Sequence, residues 1–276
     1  MNYVLLNPSL SISHVVSTIV LSLFISILSF KIKFLTKSGS VAIFILAFLV
    51  YGIGKWQWTV PILTFFVFSS VLSKIRKTKN QKVESFFEKS GQRDFAQVFA
   101  NGDTAAALII FYLFTGRNSI FILYVASIAS VCADTWATEI GTMKKNKTYN
   151  ILNFKKVEQG ITGGISFIGI LGAVSGALLI SLSSIYWTNF NHVFFTFAII
   201  ISALLASFVD SILGAAFQVQ YKCISCNSIT ERQIHCNQPA VKNHGIKWIN
   251  NDVVNLFSSI SGLIFCFLFQ FFLEYK

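Results

Sequence analysis

The sequence has few charged residues and almost no proline. Charged side chains make up 12% of its 276 residues and proline occurs three times, whereas about 25% of the residues in a soluble domain are charged. These shortages exclude an ordinary soluble domain and predict long, unbroken helices. In place of charge, 54% of the residues are hydrophobic, and 29 of these are phenylalanine. This composition is typical of an all-α, polytopic membrane protein.

Eight apolar segments approach the roughly 20 residues that a membrane-spanning helix needs. The second and third are short and meet at "GIGKWQW", so they also fit one tight hairpin with both tryptophans at the membrane interface. The first span, within 1–30, follows no basic region and no A-x-A site, and we expect no cleavable signal peptide. We therefore predict one membrane domain over 1–276, a bundle of about eight helices at 10–30, 39–54, 57–73, 95–115, 119–141, 161–186, 192–220 and 252–273.

Basic residues are concentrated in four loops. Residues 31–37 carry three, 74–94 carry seven, 142–159 carry five and 221–250 carry four, which together are 19 of the 22 lysines and arginines. The positive-inside rule places these loops in the cytoplasm and both termini outside.

The net charge of +11 would suggest nucleic acid as a partner of a soluble protein. Here it reflects topology, so we predict the lipid bilayer as partner, no nucleic acid, and a multi-pass location in the plasma membrane. The oligomeric state stays open.

Six of the eleven acidic residues lie inside or at the edges of predicted spans, where ionisable groups are costly and mark function. Four spans carry polar residues at helical spacing near the predicted cytoplasmic face, and we expect these polar stripes to share a cavity. A single such residue often only joins two helices, and an acid can simply balance nearby lysines. The stripes are Asp94, Gln97 and Asn101; Asp134, Thr138 and Gly141; Asp210, Gly214 and Gln218; and Asp252, Asn255 and Ser259.

A glycine-rich segment, "EQGITGGIS", opens the sixth predicted span and follows Lys155 and Lys156. Glycines at a helix start expose backbone N–H groups, and the helix dipole favours an anion there. Thr162, Gly163 and Gly164 therefore resemble a phosphate cradle, although small residues also allow close helix packing. Carboxylates that hold Mg²⁺, next to lysines, favour a nucleotide site.

The loop "YKCISCNSITERQIHCNQP" contains Cys223, Cys226, His235 and Cys236. Three thiolates and one imidazole can close a tetrahedral zinc site, and four protein ligands would make it structural. A stable disulfide is not expected in a cytoplasmic loop. The alternative is that these thiols are free or redox-labile.

Five blocks, "RDFAQVFANG", "ADTWATEIG", "GITGGIS", "DSILGAAFQ" and "NNDVVNLFSS", resemble the signature blocks of the transmembrane protein 19 family, also called domain-of-unknown-function family 92. The resemblance runs from about residue 35 to 265. It implies the activity of the family's phytyl-phosphate kinases, which convert a prenyl monophosphate to the diphosphate in the vitamin E pathway. The family is also distantly similar to CTP-using membrane enzymes such as dolichol and phytol kinases.

We therefore predict a membrane kinase that transfers a phosphoryl group from a nucleoside triphosphate, with CTP as the expected donor, to a prenyl monophosphate. Asp134 and Asp94, then Asp252, are the predicted Mg²⁺ ligands, with Glu139 as a further proposed ligand, and Arg93 is a further catalytic candidate. Glu139 either orients a ligand or pairs with Arg93. The predicted nucleotide-binding residues are Asn101, Thr138, Lys155, Lys156, Thr162, Gly163, Gly164, Asp210 and Asn255.

Two other functions fit the same residues. An ion-coupled transporter would use the intramembrane acids as a coupling path, but such transporters often carry inverted repeats and broken helices, and we find neither in the sequence. A lipid-phosphate cytidylyltransferase would release pyrophosphate and leave CMP on the lipid. Only the product separates that enzyme from a kinase.

Overall fold

The computed structural model describes residues 11–89, 91–188 and 191–274, the last four of these for their backbone only. Within these residues seven helices are long and apolar enough to cross a bilayer. The signal-peptide prediction and the predicted location of both termini fall on residues outside the described ones. The helices are α1 (Ile12–Lys31), α2 (Lys37–Lys79), α3 (Gln81–Glu84, a single turn), α4 (Phe95–Thr115), α5 (Ile120–Gly141), α6 (Phe167–Ser184), α7 (His192–Phe217) and α8 (Asn251–Glu274).

Helix α2 reverses direction within its 43 residues. Lys55 has φ 54° and ψ −154°, which is not a helical conformation. A straight helix would separate Ile43 from Phe66 by about 34 Å, yet both residues belong to one apolar cluster with Leu46. The two arms on either side of Lys55 therefore form a hairpin and account for the predicted segments 39–54 and 57–73. The number of membrane crossings and their orientation remain predictions.

One of the two tryptophans at this reversal differs from the prediction. Trp56 is half exposed, but Trp58 is only 1% exposed. Its ring lies 4.7 Å from those of Tyr112 and Tyr124, and its carbonyl accepts a hydrogen bond from the Tyr124 hydroxyl at 2.6 Å. Trp58 is therefore a core residue, because the hairpin turns it inward.

Helix α5 lies at the centre and packs against α2, α4, α6, α7 and α8. Every residue from Tyr124 to Ala133 is buried. Glycines on α6 allow close approach, since a Cβ on Gly172 would lie 2.5 Å from the Trp136 carbonyl oxygen and one on Gly176 would lie 3.0 Å from that of Cys132. Small residues four apart commonly bring membrane helices together in this way.

The loops between α5 and α6 and between α7 and α8 contain short strands that the sequence did not predict. Strands β1 (Thr148–Asn150), β2 (Lys156–Val157) and β3 (Gly164–Ile165) pair antiparallel in the order β2-β1-β3. The loop after α7 contains the sheet β5-β4-β8 and the hairpin β6-β7. Their ranges are β4 (Gln220–Lys222), β5 (Ile229–Thr230), β6 (Ile234–His235), β7 (Gln238–Pro239) and β8 (Val241–His244).

The glycine-rich segment precedes α6 rather than opening it. Helix α6 begins at Phe167, with Ser166 as its N-cap. Gly160 and Gly163 have φ of 92° and 76° and form turns, and Gly164 begins β3. The prediction that these glycines lie in the first helical turn is wrong, because the segment pairs with β1 as a strand before the helix starts.

Candidate functional site

A polar cavity of about 240 Å³ lies where α4 and α8 begin and α5 and α7 end. Each of the four predicted stripes contributes to its wall, and so does the glycine-rich segment before α6. The predicted site residues that line the cavity are Arg93, Asn101, Asp134, Thr138, Glu139, Thr162, Gly163, Gly164, Asp210, Asp252 and Asn255.

Two carboxyl groups meet in this cavity. Asp134 on α5 and Asp210 on α7 both line the cavity, and their side chains lie close enough to interact electrostatically. The Oδ1 atom of Asp210 is buried and has no hydrogen-bond partner among the described residues. Two adjacent carboxylates repel each other and cannot both stay ionised unless a cation lies between or beside them. The pair therefore needs a shared proton or a bound cation.

These oxygens fit a Mg²⁺ ion in their chemistry. Mg²⁺ prefers carboxylate oxygens and usually keeps some coordination positions for water or substrate phosphate. The unpartnered Asp210 oxygen is available to such an ion, and Glu231 lies close enough to Asp210 to act on it electrostatically.

Glu139 faces cations on α2. Its carboxylate accepts a hydrogen bond from the Ser73 hydroxyl and forms a 2.6 Å salt bridge with Arg76. Arg76 also forms a 2.6 Å salt bridge with Glu84. Arg76, rather than Arg93, is thus the salt-bridge partner of Glu139. Because Arg76 already balances the charge of Glu139, this residue is a poorer candidate for a metal ligand than the sequence suggested.

Asp94 and Asp252 are joined by Lys89. The Lys89 ammonium lies 3.2 Å from Asp94 and 2.5 Å from Asp252. Burial alone would lower the pKa of Lys89, but the hydrogen bond and charge of Asp252, together with those of Asp94, raise it above its ordinary value. Asp94 also caps α4 by accepting a hydrogen bond from the Gln97 backbone at 2.9 Å. These contacts tie the starts of α4 and α8 together, and Asp94 is not among the residues that line the cavity.

The predicted phosphate-binding lysines lie elsewhere. Lys155 lies just before β2 and Lys156 begins it; both are exposed, and neither lines the cavity. Arg93 does line it, and its guanidinium lies 5.7 Å from the centre of the Phe65 ring. Among the described residues no carboxylate comes within salt-bridge distance of Arg93. Arg93 is therefore the cation best placed to meet an anion.

Glu231 reaches the cavity from the loop after α7. Its carboxylate accepts hydrogen bonds from the Thr162 hydroxyl at 2.6 Å, the Gln218 amide at 2.9 Å and the Glu88 backbone at 3.2 Å. Burial raises the pKa of the Glu231 carboxyl, although these hydrogen bonds oppose the shift. Burial also raises the pKa of the neighbouring Glu88. This corner of the cavity therefore carries carboxyl groups with reduced acidity.

Amide side chains connect α4 and α8 beside the acids. The Asn255 amide nitrogen donates to the Asn101 side-chain oxygen at 3.3 Å. The Asn255 side-chain oxygen is buried, and no residue in the described part of the chain donates a hydrogen bond to it. The sequence prediction missed Arg76, Lys89 and Glu231, which it counted only as loop charges. Lys89 lies five residues before Asp94, which is a local indication, but nothing near Glu231 in the sequence places it at this cavity.

The four predicted zinc ligands lie together, outside this cavity. One ligand atom from each of Cys223, Cys226, His235 and Cys236 falls within 4.8 Å of the other three. His244, nearby in the sequence, instead faces the Ala216 carbonyl oxygen at 2.9 Å.

Known proteins resemble the chain over most of its length. It is 26% identical to Protein PGR of Arabidopsis thaliana over 89% of this chain and 92% of the relative. It is 27% identical to an uncharacterized membrane protein of Methanocaldococcus jannaschii over 86% of this chain and 89% of the relative. It is 24% identical to Protein VTE6, chloroplastic, of A. thaliana over 87% of this chain and 66% of the relative. No solved structure matches it. Residues 20–263 match the family described as integral membrane protein DUF92, and the chain is a multi-pass membrane protein of that family.

Proposed function

We propose that the protein is a membrane kinase that transfers a phosphoryl group from a nucleoside triphosphate, with CTP as the expected donor, to a prenyl monophosphate. The observation that carries this proposal is the pair Asp134 and Asp210, whose carboxyl groups meet in a polar cavity at the end of an apolar bundle. The buried, unpartnered oxygen of Asp210 supports this proposal, because it is free to bind a cation.

In this proposal Asp134 and Asp210 hold Mg²⁺, with Glu231 beside them. When bound, Mg²⁺ offsets the negative charge of the phosphate oxygens during transfer. This assignment keeps Asp134 and drops Asp94 and Asp252 from the ligands that the sequence predicted, because both already form salt bridges with Lys89. It adds Asp210, which the sequence had placed with the nucleotide-binding residues.

Arg93 and the turn at Thr162 and Gly163 supply the phosphate contacts. The acceptor monophosphate is already anionic, so the chain must orient it rather than remove a proton from it. An acceptor phosphate oxygen attacks the γ-phosphorus, and the bond from that phosphorus to the leaving nucleoside diphosphate breaks. The prenyl chain would lie among the phenylalanine-rich helices, with its phosphate at the cavity.

The resemblance of the five sequence blocks to a family that includes prenyl-phosphate kinases supports this activity. The name of one relative, Protein VTE6, describes it as chloroplastic. The plasma membrane as the location of this chain therefore stays a prediction.

The test is an assay of the full chain in detergent with Mg²⁺, γ-labelled CTP and either geranylgeranyl or phytyl phosphate. We expect labelled prenyl diphosphate. Asp210→Asn and Asp134→Asn should each lower kcat/KM at least about 100-fold and raise the Mg²⁺ requirement. Asp252→Asn should cost less, because Asp252 is paired with Lys89. The matched control is Asp103→Asn, which changes an acid of α4 that does not line the cavity.

Three results would contradict the proposal. One is the absence of any diphosphate with CTP, ATP, GTP or UTP. Another is pyrophosphate release with CMP left on the lipid, which would identify a cytidylyltransferase. The third is full activity of Asp210→Asn at unchanged Mg²⁺, which would remove the carboxyl pair from the mechanism.

A further inference from the structure

The loop between α7 and α8 contains a cluster of three thiols and one imidazole that phosphoryl transfer does not use. We propose that Cys223, Cys226, His235 and Cys236 bind one structural Zn²⁺, and that this ion holds Glu231 in the polar cavity. The proposal rests on the position of the four ligand atoms and on the path of the chain between them.

The distances match a tetrahedral zinc site. A zinc ion about 2.3 Å from sulfur and 2.1 Å from nitrogen places a sulfur and a nitrogen ligand about 3.6 Å apart at the tetrahedral angle. The Nδ1 atom of His235 lies 3.5 Å from the Cys226 sulfur and 3.3 Å from the Cys236 sulfur. All four ligand atoms fall within 4.8 Å of one another. With Nδ1 as the ligand, Nε2 remains free to bond outside the site.

Two turns present these ligands. Cys223 and Cys226 lie between β4 and β5, where the Cys223 backbone donates to the Ser228 carbonyl and the Asn227 backbone donates to the Cys223 carbonyl, both at 3.0 Å. His235 and Cys236 lie at the turn of the β6-β7 hairpin, and Cys236 has φ 52°. Asn237 also has φ 58°, so these two residues form a two-residue hairpin turn of the common type with positive φ at both positions. The two turns together bring the four ligand atoms close to one another.

The loop has little apolar core of its own. Cys223 is buried, but Cys226 and Cys236 are exposed, and the large apolar residues Ile224, Ile234 and Val241 are each more than half exposed. Small folded units of this kind usually need a metal or a disulfide for stability. A disulfide is disfavoured in the cytoplasm, where the predicted topology places this loop. Four protein ligands leave no open coordination position, so the ion would be structural.

The chain between the two turns fastens Glu231 to the cavity. The Glu231 backbone and the Thr230 hydroxyl both donate to the Phe86 carbonyl at 2.9 Å, and the Arg232 Nε donates to the Phe87 carbonyl at 2.7 Å. Glu231 then receives the side-chain hydrogen bonds of Thr162 and Gln218. Zinc would clamp both ends of this short segment and so fix the carboxylate at its middle.

The test is the zinc content of the full chain, purified in detergent without chelators from cells supplied with zinc. We expect about one zinc ion per chain, and we expect its loss in Cys226→Ser and His235→Gln. Two matched controls should keep zinc. His244→Gln changes the histidine of the same loop that faces Ala216, and Cys266→Ser changes a buried cysteine of α8. Cys226→His should also keep zinc because it supplies another ligand, which separates loss of a ligand from misfolding.

A second measurement links the ion to the cavity. Hydrogen exchange at residues 229–234 should accelerate in Cys226→Ser, while Glu231→Gln should retain zinc. Neither readout depends on kinase activity. Zinc-free wild-type protein, a disulfide between Cys223 and Cys226, or equal zinc content in Cys226→Ser, His235→Gln and the controls would each overturn the proposal.

Discussion

Glu231 is a carboxyl whose side-chain partners, Thr162 and Gln218, are uncharged. Because burial raises its pKa above the ordinary 4.5, the native chain binds the proton more tightly than the unfolded chain does. Stability should therefore fall as pH rises from about 4.5 toward the raised pKa, and each pH unit in which only the unfolded chain is ionised costs the native state about 1.4 kcal/mol. Glu231→Gln should remove the part of this fall that Glu231 contributes and leave the part from Glu88, whose pKa burial also raises, as measured by thermal unfolding in detergent across that pH range without added Mg²⁺.

The control for this pH effect is Glu158→Gln. Glu158 is more exposed and pairs with Lys82 at 2.5 Å on the surface, so its removal should leave the pH profile nearly unchanged. A Glu231→Gln profile that parallels the wild type would show that Glu231 ionises as it does in water.

The acids of the cavity illustrate what a sequence can and cannot predict at this scale. Acids in apolar segments are visible in the sequence, and most of the acids predicted as site residues line the cavity. Their partners are not visible, because Lys89 and Asp252 are 163 residues apart and Arg76 and Glu139 are 63 apart. The sequence therefore identified a polar site but ranked Asp94 and Asp252 above Asp210.

At the scale of elements, the segment before α6 depends on Gly163. Its φ is 76°, and a Cβ there would collide with the Cβ of Ala215 on α7 and lie 2.8 Å from its Cα. Gly163→Ala should cost about 1 to 2 kcal/mol from left-handed backbone strain and a further 1 to 3 kcal/mol or so from overpacking. It should also reduce kinase activity, because it pushes Thr162 away from Glu231. Unfolding temperature and kcat/KM measure the two effects.

The matched control is Gly91→Ala. Gly91 has φ 105°, but a Cβ there has nothing within 4 Å, so only the strain applies. Equal stability of Gly163→Ala and Gly91→Ala would show that contact with α7 does not restrict this segment.

Helices were predicted more accurately than loops for a physical reason. A span must bury about 20 consecutive apolar residues, which leaves a clear pattern, and "GIGKWQW" marks the hairpin at Lys55. The strands β1 to β8 have only two to four residues each. Such short strands form because a partner lies beside them, and an isolated hairpin is marginal in water. The late start of α6 follows from one of these pairings, between Gly164 and Asn150.

For the whole molecule, α5 connects the apolar core to the polar cavity. Its first half is buried on all sides, which requires apolar and small residues around the whole helix. Its last turns carry Asp134, Thr138 and Glu139 to the cavity. The same helix thus determines both the packing of the bundle and the position of the cavity, which lies at one end of the bundle.

The predicted topology places the two ends of α5 on opposite sides of the membrane. The helix has 22 residues and is about 33 Å long, close to the thickness of a bilayer core of about 30 Å. Arg117 precedes it and Lys145 follows it, both exposed. In intact cells a membrane-impermeant maleimide should label Arg117→Cys, whereas Lys145→Cys should react only after permeabilisation, with the wild-type chain as background for its native thiols. The reverse pattern would invert the topology, and labelling of both variants in intact cells would show that α5 does not cross the membrane.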